Sequence, residues 1–205
     1  FIFIFKKSKI TQNKKKSFLY GWLFGFGYFF SSLYWISISL TFDQNFKFLI
    51  PITIILIPAF LAIFYGIVSL CFMILKPKKI VSSFFIFSLI FGILEFIRGS
   101  ILTGFPWNLI AYSFSNHLEI LSITTIIGTY GFNLFCISLF VSPAVFILRD
   151  SRKDIVICLL FLIMPLFFYI YGLSYKDKFN TSDKINYDYK IRAISSNISL
   201  DRFYT

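Results

Sequence analysis

Five long apolar stretches restrict the fold of this chain more than any other feature of its sequence. They cover residues 18–40, 48–75, 80–97, 120–148 and 155–173. Each is long enough to cross a bilayer as a helix, which takes about 17–25 residues. A helix satisfies all of its backbone hydrogen bonds internally, as hydrocarbon surroundings require. The sequence therefore predicts an all-α integral membrane protein, a polytopic bundle of five transmembrane helices.

The composition excludes the soluble alternatives. Of the 205 residues, 58% are hydrophobic and 14% are charged, whereas an ordinary soluble domain has about 45–50% and about 25%. One soluble core of this length cannot enclose so much apolar surface, and a disordered chain is far more polar. The net charge of +11 does not indicate nucleic-acid binding, because the basic residues lie in short segments between the apolar stretches.

The distribution of lysine and arginine predicts the orientation of the helices. Six lysines lie in Lys6–Lys16, three in Lys76–Lys79 and three basic residues in Arg149–Lys153, whereas the alternate connections hold only Lys47 and Arg98. Positively charged short loops stay in the cytoplasm. We therefore expect these three basic segments to be cytoplasmic and the C-terminal tail to be extracytoplasmic.

The predicted organisation has three parts. Residues 1–17 comprise the end of a preceding helix, Phe1–Phe5, and a cytoplasmic basic loop. Residues 18–173 form the transmembrane domain. Residues 174–205 are an extracytoplasmic linker followed by a strand at Tyr189–Asn197, where β-forming residues alternate. Because this polar tail is too short to fold alone, we expect the chain to be a fragment and the strand to open a larger domain.

Two of the apolar stretches carry small and hydroxyl residues at helical spacing. Such a stripe lets helix backbones approach closely, and the alternative is that it lines a cavity for an acyl chain. The stripes are Gly21, Gly25, Tyr28, Ser32, Trp35 and Ser39 in the first stretch, and Thr124, Gly128, Gly131, Phe135, Ser138 and Ser142 in the fourth. The excess length of the second and fourth stretches predicts tilting or kinking at Pro58 and Pro143.

One ion pair and the loop that follows it are the main candidates for a functional site. Glu95 and Arg98 are three residues apart on one helix and can touch. We expect the pair near the non-cytoplasmic interface, since an unpaired arginine in the bilayer costs about 2.5–3.5 kcal/mol. Gly104 and Pro106 predict a break in the helix, and Trp107 suits the headgroup layer. The pair and loop either end the helix at the interface or form a substrate gate.

No residue type in the apolar stretches predicts catalysis, a metal site or a bound cofactor. His117 is the single histidine, and we expect it at the surface. Cys71, Cys136 and Cys158 each stand alone in an apolar stretch, without the spacing of a metal site or a disulfide framework. We interpret them as small hydrophobic residues.

Four blocks of the sequence resemble the bacterial apolipoprotein N-acyltransferase family in order and spacing. They are Gly25–Ser39, Leu94–Asn108, Ile127–Phe132 and Ile191–Asn197. The Glu-x-x-Arg of the second block, followed by Thr-Gly-Phe-Pro-Trp, is the most specific match. Members of this family are multi-pass enzymes of the bacterial inner membrane, with eight helices and a periplasmic nitrilase-like α/β domain between the last two. The resemblance implies that the five stretches are the third to seventh helices and that the periplasmic tail opens the nitrilase-like domain.

The resemblance also implies the chemistry and the partners. These enzymes transfer a fatty acyl chain from a phospholipid, through a cysteine thioester, to the N-terminal diacylglyceryl-cysteine of a lipoprotein. In this family the cysteine nucleophile, a glutamate base and a lysine that stabilises the oxyanion belong to the nitrilase-like domain. No catalytic residue is therefore assigned in this chain. We expect the 205-residue chain to be inactive alone and monomeric. The substrate-binding residues implied by the resemblance are Glu95, Arg98, Gly104, Phe105, Pro106 and Trp107.

Two other functions stay open at this point. A non-catalytic membrane scaffold, including the product of a decayed gene, would need only the packing stripes. A small transporter or channel would be expected to carry ionisable residues inside the membrane, or broken helices repeated in two halves.

The predicted orientation has a direct test. In sealed vesicles that expose only the cytoplasmic face, a protease is expected to leave Tyr187–Thr205 intact, because this tail lies on the other side of the membrane. The products are identified by mass spectrometry, with detergent-opened vesicles as the control in which the tail is cleaved. Trimming of the tail in sealed vesicles would contradict the topology.

Overall fold

The computed structural model describes residues 1–101, 104, 106–152, 154–182 and 192. Within these ranges the chain is helical and contains no strand. The α-helices are α1 (Ile2–Ile10), α2 (Lys14–Leu33), α3 (Ile50–Leu75), α4 (Ile80–Ser100), α5 (Leu118–Leu121), α6 (Thr124–Leu148) and α7 (Asp154–Thr181). Three 3-10 helices lie at Tyr34–Thr41, Gln44–Leu49 and Ile110–Phe114.

Five helical segments are long and apolar enough to cross a membrane, which confirms the predicted fold class. They are Lys14–Thr41, Gln44–Leu75, Ile80–Ser100, Thr124–Leu148 and Asp154–Thr181. The last helix runs past the predicted end of its span at residue 173, so the segment after the span begins as a continuation of α7. The strand predicted at residues 189–197 lies outside the described residues, apart from Arg192.

Helices α2 and α3 pack with their backbones close together. A Cβ atom placed on Gly21 would collide with the backbone carbonyl oxygen of Tyr65, and one on Gly25 would lie 2.9 Å from the Tyr65 Cβ. The Trp22 indole N–H donates a hydrogen bond of 3.0 Å to the carbonyl oxygen of Ala59. The packing interpretation is therefore confirmed for the two glycines of the first stripe.

The first stripe does not continue along a single α-helical face, contrary to the sequence prediction. Helix α2 ends at Leu33 and is followed by the 3-10 helix Tyr34–Thr41, which has three residues per turn instead of 3.6. Three hydroxyls in this segment each donate to the carbonyl oxygen three residues earlier. Such local bonds compete with the α-helical ladder, so Trp35 and Ser39 leave the face that Gly21 and Gly25 occupy.

The fourth span departs from helical geometry at Gly128, a position that the sequence analysis did not single out as a break. Gly128 has φ 71° and ψ 168°, a conformation that is essentially restricted to glycine, and Pro143 lies further along, inside α6. A Cβ on Gly128 would meet nothing within 4 Å, and one on Gly131 would meet only Ile127 of its own helix. These two glycines therefore shape α6 and do not bring another helix close, although Ser142 further along the stripe is fully buried.

Polar contacts hold together the lysine-rich end of the bundle, where α1 ends and the connection between α3 and α4 lies. This helix includes the apolar run that begins the chain and continues through three lysines to Ile10. The Ser8 hydroxyl hydrogen-bonds the Ser69 hydroxyl, and Ser17 Oγ donates to the Ser69 carbonyl at 2.9 Å. Lys9 Nζ donates to Ser83 Oγ at 2.7 Å and to two carbonyl oxygens of the α3–α4 connection. Helices α1, α2, α3 and α4 are thereby joined at this end.

A matched pair of glycine substitutions tests the contact between α2 and α3. Gly21→Ala is expected to destabilise the protein by about 1–3 kcal/mol, because the new methyl group forces the two backbones apart. Gly27→Ala is the control on the same helix, since a Cβ there would meet nothing within 4 Å and alanine favours a helix. Unfolding of the detergent-solubilised variants, followed by circular dichroism, measures the difference. Equal stabilities would contradict the close packing at Gly21.

Candidate substrate-handling site

A bidentate ion pair lies at the end of α4. Arg98 Nη2 donates to Glu95 Oε2 at 2.9 Å, and Arg98 Nε donates to Oε1 at 3.2 Å. The predicted contact between these residues is confirmed. Each is only 1% exposed, so the pair is enclosed by protein side chains. Removal of one partner of an enclosed pair leaves the other charge buried without compensation, which destabilises the protein.

Residues of the neighbouring helices enclose the ion pair. The guanidinium carbon of Arg98 lies 5.2 Å from the centre of the Phe29 ring of α2, which is a favourable cation–π distance. Tyr65 of α3 and Asn133 of α6 lie beside the Glu95 carboxyl. Four helices thus converge on the pair. Sequence reasoning missed these neighbours, although an asparagine inside an apolar stretch was a signal for Asn133.

Two polar atoms beside the pair have no hydrogen-bond partner among the described residues, namely Tyr65 Oη and Asn133 Nδ2. The other amide atom of Asn133, Oδ1, accepts a hydrogen bond of 3.0 Å from the backbone N–H of Ala111. This bond attaches the segment after the loop to α6. The polar centre of the bundle therefore also fixes the chain that leads away from the candidate loop.

The loop after α4 is fastened from inside the bundle. Arg98 Nη1 donates to the Trp107 carbonyl oxygen at 3.0 Å. The Tyr28 hydroxyl donates to the Asn108 carbonyl oxygen at 2.9 Å, and Asn108 Nδ2 donates to Ser32 Oγ at 2.5 Å. Asn108 has φ 56°, a left-handed conformation that asparagine tolerates better than most residues. The turn at Trp107 and Asn108 is therefore held by both α4 and α2.

The predicted break in the helix is confirmed. Helix α4 ends at Ser100, and Gly104 has φ 77°. A Cβ on Gly104 would lie 2.7 Å from the carbonyl oxygen of Gly99, so this position needs glycine for both its dihedral and its space. Pro106 is exposed. Phe105, which the sequence also assigned to this site, lies outside the described residues.

An exposed aromatic pair lies beside the fastened turn. The Trp107 ring is 50% exposed and stacks on Trp35, with 5.3 Å between ring centres and 17° between the planes. Both rings line an open, mostly apolar groove of about 590 Å³, which we call the tryptophan groove. Its other lining residues are Ile36, Ile38, Ser39 and Phe42. Sequence reasoning placed Trp35 on a helix stripe and missed this partnership.

A second, mostly apolar cavity borders the turn at Asn108. Its volume is about 440 Å³, and Tyr28, Ser32 and Asn108 are among the polar residues that line it, together with Tyr112 and Ser113. The three residues that fasten the turn therefore also face a cavity. This arrangement places hydrogen-bonding groups next to apolar space, which is the usual composition of a site for an amphipathic small molecule.

The remaining sequence candidates do not join the site. His117 is exposed and precedes α5, as expected. The three cysteines are unpaired, and Cys136 and Cys158 are buried. Among the described residues, no group of three His, Cys, Asp or Glu side chains is close enough to hold a metal ion. Glu119 accepts a hydrogen bond of 3.0 Å from Lys176, which holds the pKa of the Glu119 carboxyl below its ordinary value.

The fold and the site define a polytopic helical membrane protein in which an aromatic loop at one end of the bundle is anchored by a buried ion pair. Comparison with known proteins then gives the family. The family model for the Apolipoprotein N-acyltransferase N-terminal domain matches residues 1–142, and the chain belongs to this family. The match covers the ion pair, the loop and the tryptophan groove, and it confirms the resemblance read from the sequence.

Curated relatives agree with the family model. The chain is 35% identical over 137 residues to the apolipoprotein N-acyltransferase of Rhizobium rhizogenes, covering 66% of this chain and 26% of the relative. It is 33% identical over 190 residues to that of Rickettsia prowazekii, covering 92% of this chain and 37% of the relative. The chain thus spans about a quarter to a third of the length of these relatives. No solved structure matches it significantly.

The buried ion pair can be tested by removing one partner and then both. Arg98→Met is expected to destabilise the protein by about 3–5 kcal/mol, because it leaves the Glu95 carboxylate buried without its partner. The double variant Glu95→Met/Arg98→Met is expected to recover most of this stability. Both variants are expected to increase hydrogen–deuterium exchange at residues 107–112, because both lose the bond to the Trp107 carbonyl. Undiminished protection there in the double variant would contradict the anchoring role of Arg98.

Proposed function

We propose that this chain is the membrane platform of an apolipoprotein N-acyltransferase in the bacterial inner membrane. The platform seats a phospholipid at its extracytoplasmic end, from which a fatty acyl chain passes to the N-terminal diacylglyceryl-cysteine of a lipoprotein. The observation that carries the proposal is the turn at Trp107, anchored by Arg98 beside the apolar tryptophan groove. Membership of the family supports the reaction class.

Five of the six candidate residues take different parts in this proposal, and Phe105 lies outside the described residues. Trp107 and Pro106 are exposed and contact lipid directly, with Trp35 as the second aromatic face of the groove. Gly104 provides the backbone conformation that the turn needs. Glu95 and Arg98 are positioning residues, because side chains that are 1% exposed and bonded to each other do not reach a headgroup. Their effect on the reaction passes through the Trp107 carbonyl.

The covalent chemistry belongs to residues outside this chain in the proposal. A cysteine nucleophile needs an accessible, electropositive environment that favours the thiolate. Cys136 and Cys158 are buried among apolar side chains, which is the opposite environment. The lysine distribution and the family membership support a periplasmic position of the tail in this proposal. The 205 residues by themselves are then an inactive platform, present as a monomer.

The transporter alternative receives less support from the same residues. One buried ion pair and one broken helix occur in the part of the chain that the structure describes, at Glu95–Arg98 and at Gly128. They do not recur in two corresponding halves, as the repeats of a secondary transporter would. The ion pair also anchors a loop, which accounts for its presence without a transport path. A non-catalytic scaffold differs from the proposed platform only in its effect on acylation.

The role of the tryptophan groove is tested in a full-length acyltransferase that carries this chain as its membrane region. Trp107→Ala is expected to lower the rate of lipoprotein acylation about tenfold or more, as for the loss of an aromatic anchor. Phe48→Ala is the matched control, because Phe48 is 70% exposed and outside the groove. The mass of the lipoprotein N-terminal peptide measures acylation. If Trp107→Ala, Glu95→Ala and Arg98→Ala all leave acylation and protein level unchanged, the proposal fails.

The assignment of catalysis to other residues has its own test. The 205-residue chain, reconstituted in phospholipid vesicles with a diacylated lipopeptide, is expected to transfer no acyl chain. Mass spectrometry of the lipopeptide and of the chain measures the outcome, with an active full-length acyltransferase as the positive control. A thioester on any of the three cysteines would contradict this part of the proposal.

A further inference from the structure

A polar pocket lies at the lysine-rich end of the bundle, at the end opposite to the tryptophan groove. It has a volume of about 200 Å³ and is formed where α1 and α3 end. Lys9, Thr11, Gln12 and Lys76 supply its polar lining, and the nearly fully buried side chains of Phe72 and Met73 supply its apolar side. We call it the lysine pocket. It shares no residue with the site described above.

The positive charge of the lysine pocket is not neutralised by an ion pair. Lys9 Nζ donates to Ser83 Oγ and to the carbonyl oxygens of Pro77 and Lys78, which carry no net charge. The salt bridges among the described residues involve Arg98 and Lys176, not Lys9 or Lys76. These three bonds use the three N–H donors of the Lys9 ammonium, so Lys9 acts on the cavity through its charge and not as a hydrogen-bond donor.

Two carboxylates lie at this end of the bundle, those of Asp150 and Asp154, which are linked by a hydrogen bond from the Asp150 backbone N–H. Burial lowers the pKa of the Lys9 ammonium, and the charge of Asp150 opposes this effect only in part. Asp150 Oδ2 also accepts a hydrogen bond of 3.1 Å from the backbone N–H of Ile80, at the start of α4. Its carboxylate is therefore engaged at a helix N-terminus, where a negative charge is stabilised. The pocket keeps an excess of positive charge.

We propose that the lysine pocket binds the phosphate group of an anionic phospholipid in the leaflet at the lysine-rich end of the bundle. Lysine suits phosphate as a compact charge, and basic pockets between membrane helices are typical sites for anionic headgroups. The Thr11 hydroxyl and the Gln12 amide are further donors. Ile10, which lines the pocket and is 63% exposed, favours a phosphate that carries an apolar body over free phosphate, which is the other source of the same chemistry.

The position of Lys76 allows a clean test. Lys76 ends α3 in the left-handed conformation, with φ 41°, which asparagine adopts more readily than other residues with a side chain. Lys76→Asn therefore removes the charge without straining the backbone. Lys47→Asn removes one charge from the alternate connection and serves as the matched control, and Lys76→Arg keeps the charge in place.

Native mass spectrometry of the detergent-solubilised full chain, titrated with phosphatidylglycerol or phosphatidylcholine, measures the binding. The unmodified chain is expected to bind phosphatidylglycerol in preference to phosphatidylcholine. Lys76→Asn is expected to weaken phosphatidylglycerol binding about fivefold, which corresponds to the ~1 kcal/mol that one basic residue contributes near a membrane surface. Lys47→Asn and Lys76→Arg are expected to bind as the unmodified chain does. Circular dichroism checks that each variant is folded.

Three results would overturn the proposal. Equal binding of both lipids would show that the phosphate is not recognised by charge. Equal weakening by Lys76→Asn and Lys47→Asn would show a general surface effect instead of a pocket. Displacement of the lipid by millimolar inorganic phosphate would assign the pocket to a soluble phosphate. None of these results bears on acyl transfer, so this proposal and the proposed function succeed or fail separately.

Discussion

The burial of one guanidinium group inside an apolar bundle is the constraint on which the architecture around the candidate site depends. A charge in such surroundings is tolerated only when it is paired and hydrogen-bonded. Arg98 meets this requirement with the Glu95 carboxylate, the Phe29 ring and the Trp107 carbonyl oxygen. Residues of α2, α3, α4 and α6 must therefore keep one arrangement, and the loop after α4 is part of it.

Because of the same constraint, the residues that support the loop differ from the residues that are exposed on it. The polar groups of the ion pair form their hydrogen bonds inside the bundle, whereas the Trp107 and Trp35 rings are exposed on its surface. A loop on the surface of a membrane bundle has few apolar contacts of its own. Its conformation is instead set by hydrogen bonds to its backbone from Arg98 and Tyr28. Rigid support of this kind is what a binding loop needs to present its side chains in one geometry.

The charged side chains at the two ends of the bundle are bonded in different ways. At the loop end, a charged pair is enclosed and neutralised internally. At the other end, Lys9 donates its three N–H bonds to neutral oxygens, and no salt bridge among the described residues involves it. The α2–α3 contact at Gly21 depends on the close approach of two backbones. The bundle therefore combines a neutralised ion pair at one end with a lysine side chain held by neutral oxygens at the other.

The fold class and the reality of the Glu95–Arg98 contact could be predicted from the sequence, because the lengths of apolar runs and an i, i+3 spacing are local properties. Two other local features were not predicted. Serine and threonine hydroxyls bond to backbone carbonyl oxygens in the 3-10 helix that ends the first span, and Gly128 interrupts the helical geometry of the fourth span.

The sequence by itself determined that the chain spans a membrane, where its loops lie along the chain and which residues carry the family resemblance. Only the tertiary structure decided that Arg98 is sealed away from lipid and that Trp107 stacks on Trp35. The physical reason is that burial and ring stacking depend on which helices meet in space. Spacing along a single helix does not contain that information.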